Sequence, residues 1–218
     1  MSTEYEALYH NHTWVLVPYT GQKLVDCKWV FKTKFKADGS ILKHKARLVA
    51  KGFQQSVGVD YGETFSPVVK PAAIRLILTL AATYRWEIRQ LDVNNAFLNG
   101  YLKEEVFMNQ SLGFRDSTKP DHICKLTKAI YGLKQAPRAW FERLRHVLVS
   151  WGFQNACCDV SLFFFRSDRL LVFILIYVDD ILITGNNYVF VQKFIVKLNK
   201  VLSLKDLGSI YYFLGLEI

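Results

Sequence analysis

No apolar run in the sequence is long enough to cross a bilayer. The longest, residues 170–178, is far shorter than the roughly 18–20 residues that a membrane-spanning helix needs. The acidic N-terminus, residues 1–6, also lacks the apolar stretch of a signal peptide. These absences predict a cytoplasmic protein without a membrane partner, and they predict that residues 170–178 form a buried strand.

Cysteine is scarce, and the four cysteines are not spaced as metal ligands. None of Cys27, Cys124, Cys157 and Cys158 belongs to a Cys-x-x-Cys pair, and none has a histidine at metal-ligand spacing. We therefore predict reduced thiols in the core of a cytosolic protein, with no bond between the neighbours Cys157 and Cys158.

Acidic residues are in the minority, at 19 Asp and Glu against 28 Lys and Arg, which gives a formal net charge of +9 and a pI of about 9.3. No internal repeat or low-complexity tract is present, and the 51% hydrophobic and 15% aromatic content excludes a disordered chain. A basic globular chain indicates a polyanionic partner, with nucleic acid ahead of an anionic membrane.

Much of the positive charge falls in one predicted hairpin. Residues 27–36 and 41–51 alternate as strands on either side of the Asp38-Gly39 turn signal. Residues 23–51 contain nine Lys or Arg against two Asp. Because side chains alternate between the faces of a strand, we predict a basic face that binds phosphates and an apolar face. The alternative is a solvated edge hairpin blunted by lysines. The basic face would comprise Lys28, Lys32, Lys34, Lys36, Lys43, Lys45, Arg47 and Lys51.

Elsewhere the apolar periodicity predicts strands and helices in alternation. Between residues 103 and 131 we predict only loops and short pieces. Strand runs mixed with helices in this order favour an α+β fold, a sheet with helices packed on one face. The predicted strands are 14–17, 86–92, 162–165, 170–178, 181–184 and 211–218, and the predicted helices start near Pro71 and span 136–151 and 188–202.

Three acidic residues stand where chemistry is expected. Asp179 and Asp180 interrupt the apolar stretch of residues 170–183, and Asp92 ends an apolar strand. If the two strands are neighbours, Asp92 and Asp179 converge into an oxygen-ligand site for Mg²⁺. The alternatives are a surface turn for the Asp-Asp pair and a strand-end cap for Asp92.

Several motifs in order resemble copia-type retrotransposon reverse transcriptases along nearly the whole chain. The Tyr-Val-Asp-Asp box at 177–180 looks like the active-site box of these enzymes. The other matching segments are residues 4–8, 13–14, 27–32, 45–53, 63–69, 91–100, 131–140, 205–208 and 212–217.

The resemblance implies the fingers and palm of a right-hand polymerase. The palm would be a ferredoxin-like or RRM-like antiparallel sheet with helices on one face. The thumb and ribonuclease H parts are expected to be absent, so we expect the chain alone to hold primer-template poorly. The implied fingers are residues 1–72 and 102–133, and the implied palm is residues 73–101 and 134–218, ending at the primer-grip segment.

The resemblance also implies a role for individual residues. Asp92, Asp179 and Asp180 would be the catalytic, metal-binding acids, with two Mg²⁺ ions as cofactors and Mn²⁺ as the alternative. Phe97 would be an aromatic gate that favours dNTPs, its alternative being a core phenylalanine. The implied nucleotide-binding residues are Lys45, Arg47, Lys51, Phe97 and Gln135, and the implied primer grip is Phe213, Leu214 and Gly215.

The implied activity is RNA-directed DNA polymerisation by two-metal nucleotidyl transfer. Its partners would be an RNA template, a DNA primer and product, dNTPs and the remainder of a Pol polyprotein, within a virus-like particle of an active element. The rival hypothesis is a catalytically inactive, truncated or repurposed fragment that binds nucleic acid through its basic hairpin.

Overall fold

The computed structural model describes residues 1–36 and 38–213, and the backbone of residues 216–217. The chain divides into two compact units, the first built from Met1–Phe65 and Phe97–Trp140 and the second from Ser66–Ala96 and Phe141–Ile218. Which unit corresponds to fingers and which to palm stays a prediction.

Helices and strands alternate along the described chain, which is therefore α+β as predicted. In chain order they are α1 (Ser2–His10), β1 (Trp14–Pro18), β2 (Leu24–Val25), β3 (Cys27–Phe35), β4 (Ile41–Ala50), α2 (Pro71–Tyr84), β5 (Ile88–Val93), β6 (Tyr101–Met108), β7 (His122–Lys128), α3 (Ala136–Ser150), β8 (Gln154–Ala156), β9 (Asp159–Arg166), β10 (Leu171–Tyr177), β11 (Asp180–Gly185), α4 (Tyr188–Leu202), β12 (Leu204–Ser209), β13 (Tyr212–Phe213) and β14 (Leu216–Glu217).

The first unit contains a four-stranded sheet in the order β1-β7-β6-β2, with the β3–β4 hairpin as a separate ribbon. Strands β6 and β7 correct the prediction of loops between residues 103 and 131. They pair antiparallel and bury Val106, Met108 and Leu126 in the unit's core. The run of charge at residues 103–105 hid this alternation in the sequence.

The second unit is built on a six-stranded antiparallel sheet in the order β12-β5-β11-β10-β9-β8. Helix α2 shares a buried cluster with Leu162, Leu175 and Leu182, which lie on one face. Phe163 and Phe165 point to the opposite face because side chains alternate along β9. They contact Phe141 of α3 and Phe190 of α4. The prediction that helices cover only one face is therefore wrong.

Local sequence signals set the ends of the helices that hold this sheet. Helix α2 starts with Pro71 after the extended residue Lys70, and proline suits the first turn because its missing N–H would have no partner there. Asn187 caps α4 by accepting a hydrogen bond from the amide of Phe190. No helix among the described residues is long and apolar enough to cross a membrane.

The cysteines are distributed differently from the prediction. Cys124 is buried in the core of the first unit, and Cys27 is half-buried. Cys157 and Cys158 are both exposed, which corrects their assignment to the core. The reason is local, because they are the two central residues of the turn between β8 and β9.

Two glycines let backbone pack directly on backbone in the first unit. Gly132 has a φ of +91°, and a Cβ there would overlap the carbonyl oxygen of Ala50. A Cβ at Gly52 would overlap the carbonyl oxygen of Gly132. The amide of Ala50 donates to the carbonyl of Tyr131 at 2.8 Å, so the end of β4 is fixed against the turn at residues 131–133.

Gly132→Ala is expected to lower the free energy of unfolding by about 3 kcal/mol or more, because left-handed strain adds to steric overlap. Gly21→Ala is the matched control. Gly21 has a φ of +95° with open space around it, so strain alone should cost about 1 kcal/mol. Urea unfolding measures both, and equal losses would refute the close packing.

Candidate functional site

The Tyr-Val-Asp-Asp box forms a two-residue hairpin turn in the second unit. Strands β10 and β11 pair up to Tyr177 and Asp180, so Val178 and Asp179 are the two central residues of the turn. Val178 has a φ of +54°. Positive φ at the first central position suits a tight hairpin but is uncommon for a β-branched residue. The strained turn places Asp179 at the tip of the hairpin.

Strand β5 brings the third acid to the same place. Asp92 is the direct partner of Asp180 in the antiparallel β5–β11 ladder, so both side chains lie on one face of the sheet. The amide of Val93 donates to the carbonyl of Asp179 at 2.9 Å, which fastens the turn to the end of β5. The predicted convergence of the acids is present, although Asp180 rather than Asp179 is the residue opposite Asp92.

The three carboxylates are half-buried, and they repel one another. The pKa of Asp180 is raised, first by burial and then by the negative charges of Asp179 and Asp92. Gln90 opposes this shift, because its Nε2 donates to Asp180 Oδ1 at 3.2 Å. None of the three acids is ion-paired with a basic side chain in the described part of the chain. The cluster therefore has negative charge in excess.

This donor set fits a hard divalent cation. Within the described residues, no group of three or more His, Cys, Asp or Glu is already arranged to hold a metal. Mg²⁺ is typically held by one or two carboxylates while substrate phosphates and water complete its coordination. Asp92 and Asp180, opposed on one face, supply such a pair, and Asp179 lies at the adjoining turn.

In the first unit, the β3–β4 hairpin has the basic face predicted from the sequence. Residues directly opposite in an antiparallel pair share a face, and three successive pairs on one face contain five cationic side chains. Lys45 lies among these cations, and its pKa is lowered, first by burial and then by the charges of Arg47, Lys34 and Lys43. Positive charges held this close together attract anions. The cross-strand pairs on this face are Val30–Arg47, Lys32–Lys45 and Lys34–Lys43.

Lys51 already has an acidic partner. It follows the end of β4, and its Nζ forms an ion pair with Asp26 Oδ2 at 3.2 Å. The amide of Lys51 also donates to the carbonyl of Asp26 at 2.7 Å, so the pairing of the two strands continues to this residue. The predicted grouping of Lys51 with Lys45 and Arg47 stays a prediction, and a phosphate contact by Lys51 requires its ion pair with Asp26 to open.

An aromatic side chain connects two of the predicted nucleotide-binding residues. The guanidinium carbon of Arg47 lies 4.3 Å from the centre of the Tyr131 ring. Phe97 packs edge-on against the same ring, with 4.7 Å between centroids. Tyr131 therefore positions both Arg47 and Phe97. Phe97 also packs against the unit's core, so its predicted role as a gate stays a prediction.

Gln135 faces the interior of the first unit. Its side chain is 1% exposed, its Nε2 donates to the carbonyl of Asp60, and its Oε1 accepts from Gln55 Nε2, both at 3.0 Å. Its predicted nucleotide contact stays a prediction and requires these bonds to be exchanged.

The predicted primer grip is described only at its first residue. Phe213 is buried and packs edge-on against Tyr177, with 6.4 Å between centroids. It therefore supports the strand that leads into the acidic turn. Leu214 and Gly215 lie outside the described residues.

The geometry above can be compared with known proteins. Residues 11–218 match a family model described as reverse transcriptase (RNA-dependent DNA polymerase). The chain belongs to the reverse transcriptase family. The predicted resemblance to copia-type retrotransposon polymerases is confirmed by this match and by the relatives below.

The chain spans less than a fifth of the length of the curated relatives that it matches, which are retrovirus-related Pol polyproteins of transposons. The chain is 51% identical to the retrovirus-related Pol polyprotein from transposon RE2 of Arabidopsis thaliana and 49% identical to that from RE1, each over 219 residues. It is 43% identical over 220 residues to that from transposon TNT 1-94 of Nicotiana tabacum. These matches cover 100% of this chain but only 15%, 15% and 17% of the polyproteins.

Sequence reasoning missed three residues that lie beside the candidate reverse transcriptase sites. Gln90 precedes Asp92 by two positions, and this spacing in a strand could have indicated a shared face. Tyr131 lies in the Tyr-Gly-Leu-Lys-Gln motif already identified. Lys205 of β12 is the other cross-strand partner of Asp92, and only the strand order reveals it.

Gln90→Leu is expected to weaken Mn²⁺ binding by about tenfold, because residues that hold a ligand's carboxylate typically contribute 10–100-fold to metal affinity. Electron paramagnetic resonance titration of free Mn²⁺ measures this change. The control is Gln154→Leu, an exposed glutamine of the same unit. Unchanged affinity in Gln90→Leu would exclude the positioning role.

Proposed function

We propose that the chain carries the polymerase site of a copia-type retrotransposon reverse transcriptase, which extends a DNA primer on an RNA template with dNTPs. The observation that carries the proposal is the direct pairing of Asp92 with Asp180 beside the strained Val178-Asp179 turn. Family membership supplies the reaction class, and the geometry supplies a group of acids suited to it.

In the proposed mechanism, Asp92, Asp179 and Asp180 would hold the cofactor, with Asp92 and Asp180 on one face of the sheet and Asp179 at the adjoining turn. Bound Mg²⁺ would supply charge neutralisation for the attacking and leaving oxygens of the phosphoryl transfer. Gln90 orients the Asp180 carboxylate, since its amide bonds to one of the two oxygens. The protein contributes positioning and electrostatics, and the reacting groups come from the primer end and the dNTP.

The basic face of the hairpin is proposed to bind phosphate groups of the nucleotide or nucleic acid. Lys32, Lys45 and Arg47 share this face, and like-charge repulsion among them would be relieved by a polyanion. The same observation supports the rival function, a fragment that binds nucleic acid without catalysis.

Asp92→Asn or Asp179→Asn should reduce primer extension on an RNA template by about 10³-fold or more, since several kcal/mol of charge stabilisation would be lost. Asp168→Asn removes one carboxylate from an exposed position of the same unit and should leave extension unchanged. Circular dichroism checks that each variant folds.

If the chain alone extends a primer poorly, Mn²⁺ binding still tests whether the three acids form a metal site. The unaltered chain should bind Mn²⁺, and Asp92→Asn should lose that binding. Extension or Mn²⁺ binding that survives in Asp92→Asn would exclude the metal assignment, whereas RNA binding by an unaltered chain that does not bind Mn²⁺ would favour the rival function.

Replacing both Lys32 and Lys45 by Gln should weaken single-stranded RNA binding. The slope of log K against log salt should become shallower by about 1.4, roughly 0.7 for each lost phosphate contact on a single strand. Fluorescence anisotropy at several salt concentrations measures the slope. The matched control, Lys193 and Lys200 replaced by Gln, removes the same charge from exposed positions on α4. Equal slopes in the two double variants would show that the hairpin is not the binding surface.

A further inference from the structure

The turn between β8 and β9 holds two adjacent, exposed thiols. Ala156 pairs with Asp159 across the hairpin, so Cys157 and Cys158 are its two central residues. Both side chains are reduced and exposed. The proposed polymerase chemistry uses neither of them.

Hydrogen bonds to Asp159 and Lys70 fix the backbone that carries the two thiols. The amide of Lys70 donates to Asp159 Oδ2 at 2.8 Å, and the amide of Ser161 donates to Asp159 Oδ1 at 2.9 Å. Lys70 Nζ also donates to the carbonyl of Cys158 at 2.9 Å. Because Asp159 is 4% exposed, this anchor is part of the unit's interior and the turn is preorganised.

The thiols of the turn are accessible to reagents in solution, because both side chains are exposed. The ammonium of Lys70 is bonded to the carbonyl of Cys158 and holds the turn backbone in place. The other two cysteines differ, because burial raises the pKa of Cys27 to about 11 and that of Cys124 to about 12. Those two thiols stay protonated at neutral pH.

A disulfide between the neighbours is disfavoured by geometry. Adjacent Cα atoms lie about 3.8 Å apart across a trans peptide, whereas disulfides prefer roughly 4.4–6.8 Å. Such a bond would be strained and readily reduced. A single atom bridging the two sulfurs relieves this constraint, since the sulfurs then stay further apart than in a direct S–S bond.

We propose that Cys157 and Cys158 form a dithiol site that chelates trivalent arsenic compounds of the type R–As=O. Two As–S bonds form, the As–O double bond breaks, and the two thiol protons leave with the oxygen as water. Arsenic remains trivalent, so no oxidant or reductant takes part. The second As–S bond forms within the molecule. The affinity of the two thiols for the arsenical is therefore roughly 10²–10⁴ times higher than that of a single thiol.

The test is intact-mass spectrometry of the full chain treated with phenylarsine oxide in excess 2-mercaptoethanol, which removes adducts on single thiols. The unaltered chain should gain one adduct, the mass of the reagent less one water. Cys157→Ser and Cys158→Ser should each lose it, and Cys27→Ser should keep it. Ethanedithiol should strip the adduct.

Two outcomes would overturn the proposal. One is an unaltered chain that gains no adduct, and the other is an adduct that persists in either single turn variant. Both turn positions are exposed, so serine is expected to leave the fold intact, and circular dichroism of each variant verifies this. The test is independent of polymerase activity.

Discussion

Two carboxylates of like charge lie side by side because β5 and β11 pair in one register. Asp92 and Asp180 face each other across the ladder, while Leu91 and Ile181 pair on the opposite face and are 0% exposed. Repulsion between two charges about 5 Å apart is about 3 kcal/mol at an effective dielectric of about 20. Burial of the two aliphatic side chains contributes about 1.5–3 kcal/mol each, so the apolar face holds the register against the charges. A slip of one residue would reverse the faces of one strand and move its aliphatic side chain out of this buried pair.

The turn beside this pair of carboxylates has a strained backbone, which costs free energy of its own. A non-glycine residue in left-handed backbone costs about 1–3 kcal/mol, and Val178 is both β-branched and at a φ of +54°. The turn persists because the strands on either side determine it, with β10 and β11 paired throughout and the Val93 amide bonded to Asp179. A longer and more relaxed loop would leave Asp179 without a fixed position. The strand pairing that brings the acids together therefore also holds Val178 in its strained backbone conformation.

The elements that the sequence predicts well are those whose signals are local. Helix α4 was predicted at residues 188–202 as observed, because its buried residues Val191, Phe194, Ile195, Leu198 and Leu202 repeat at helical spacing. Strands β6 and β7 were missed because their burial depends on partners distant in sequence, such as β1 opposite β7. The same limit applies to the site. Asp92 and Asp180 could be proposed from their motifs, but the Gln90 contact depends on which strand adjoins which.

The hydrogen bonds and ion pairs that each polar side chain already makes distinguish residues available to a ligand from residues that support the fold. Lys51 is paired with Asp26, and Gln135 bonds to Gln55 and Asp60, so the fold already uses both. By contrast, the pKa of Lys45 is lowered by burial and by its cationic neighbours, and the buried Nε of Arg47 has no hydrogen-bond partner among the described residues. A buried donor without a hydrogen-bond partner is costly to the free protein, and an anionic ligand that accepts from it relieves that cost. The same reasoning applies with opposite sign to the acids. The pKa of Asp180 is raised, first by burial and then by the negative charges of Asp179 and Asp92, and a cation would neutralise these charges. Lys45 and Arg47 are therefore stronger candidates for phosphate contacts than Lys51, whereas the family resemblance alone leaves open which of these three residues makes each contact.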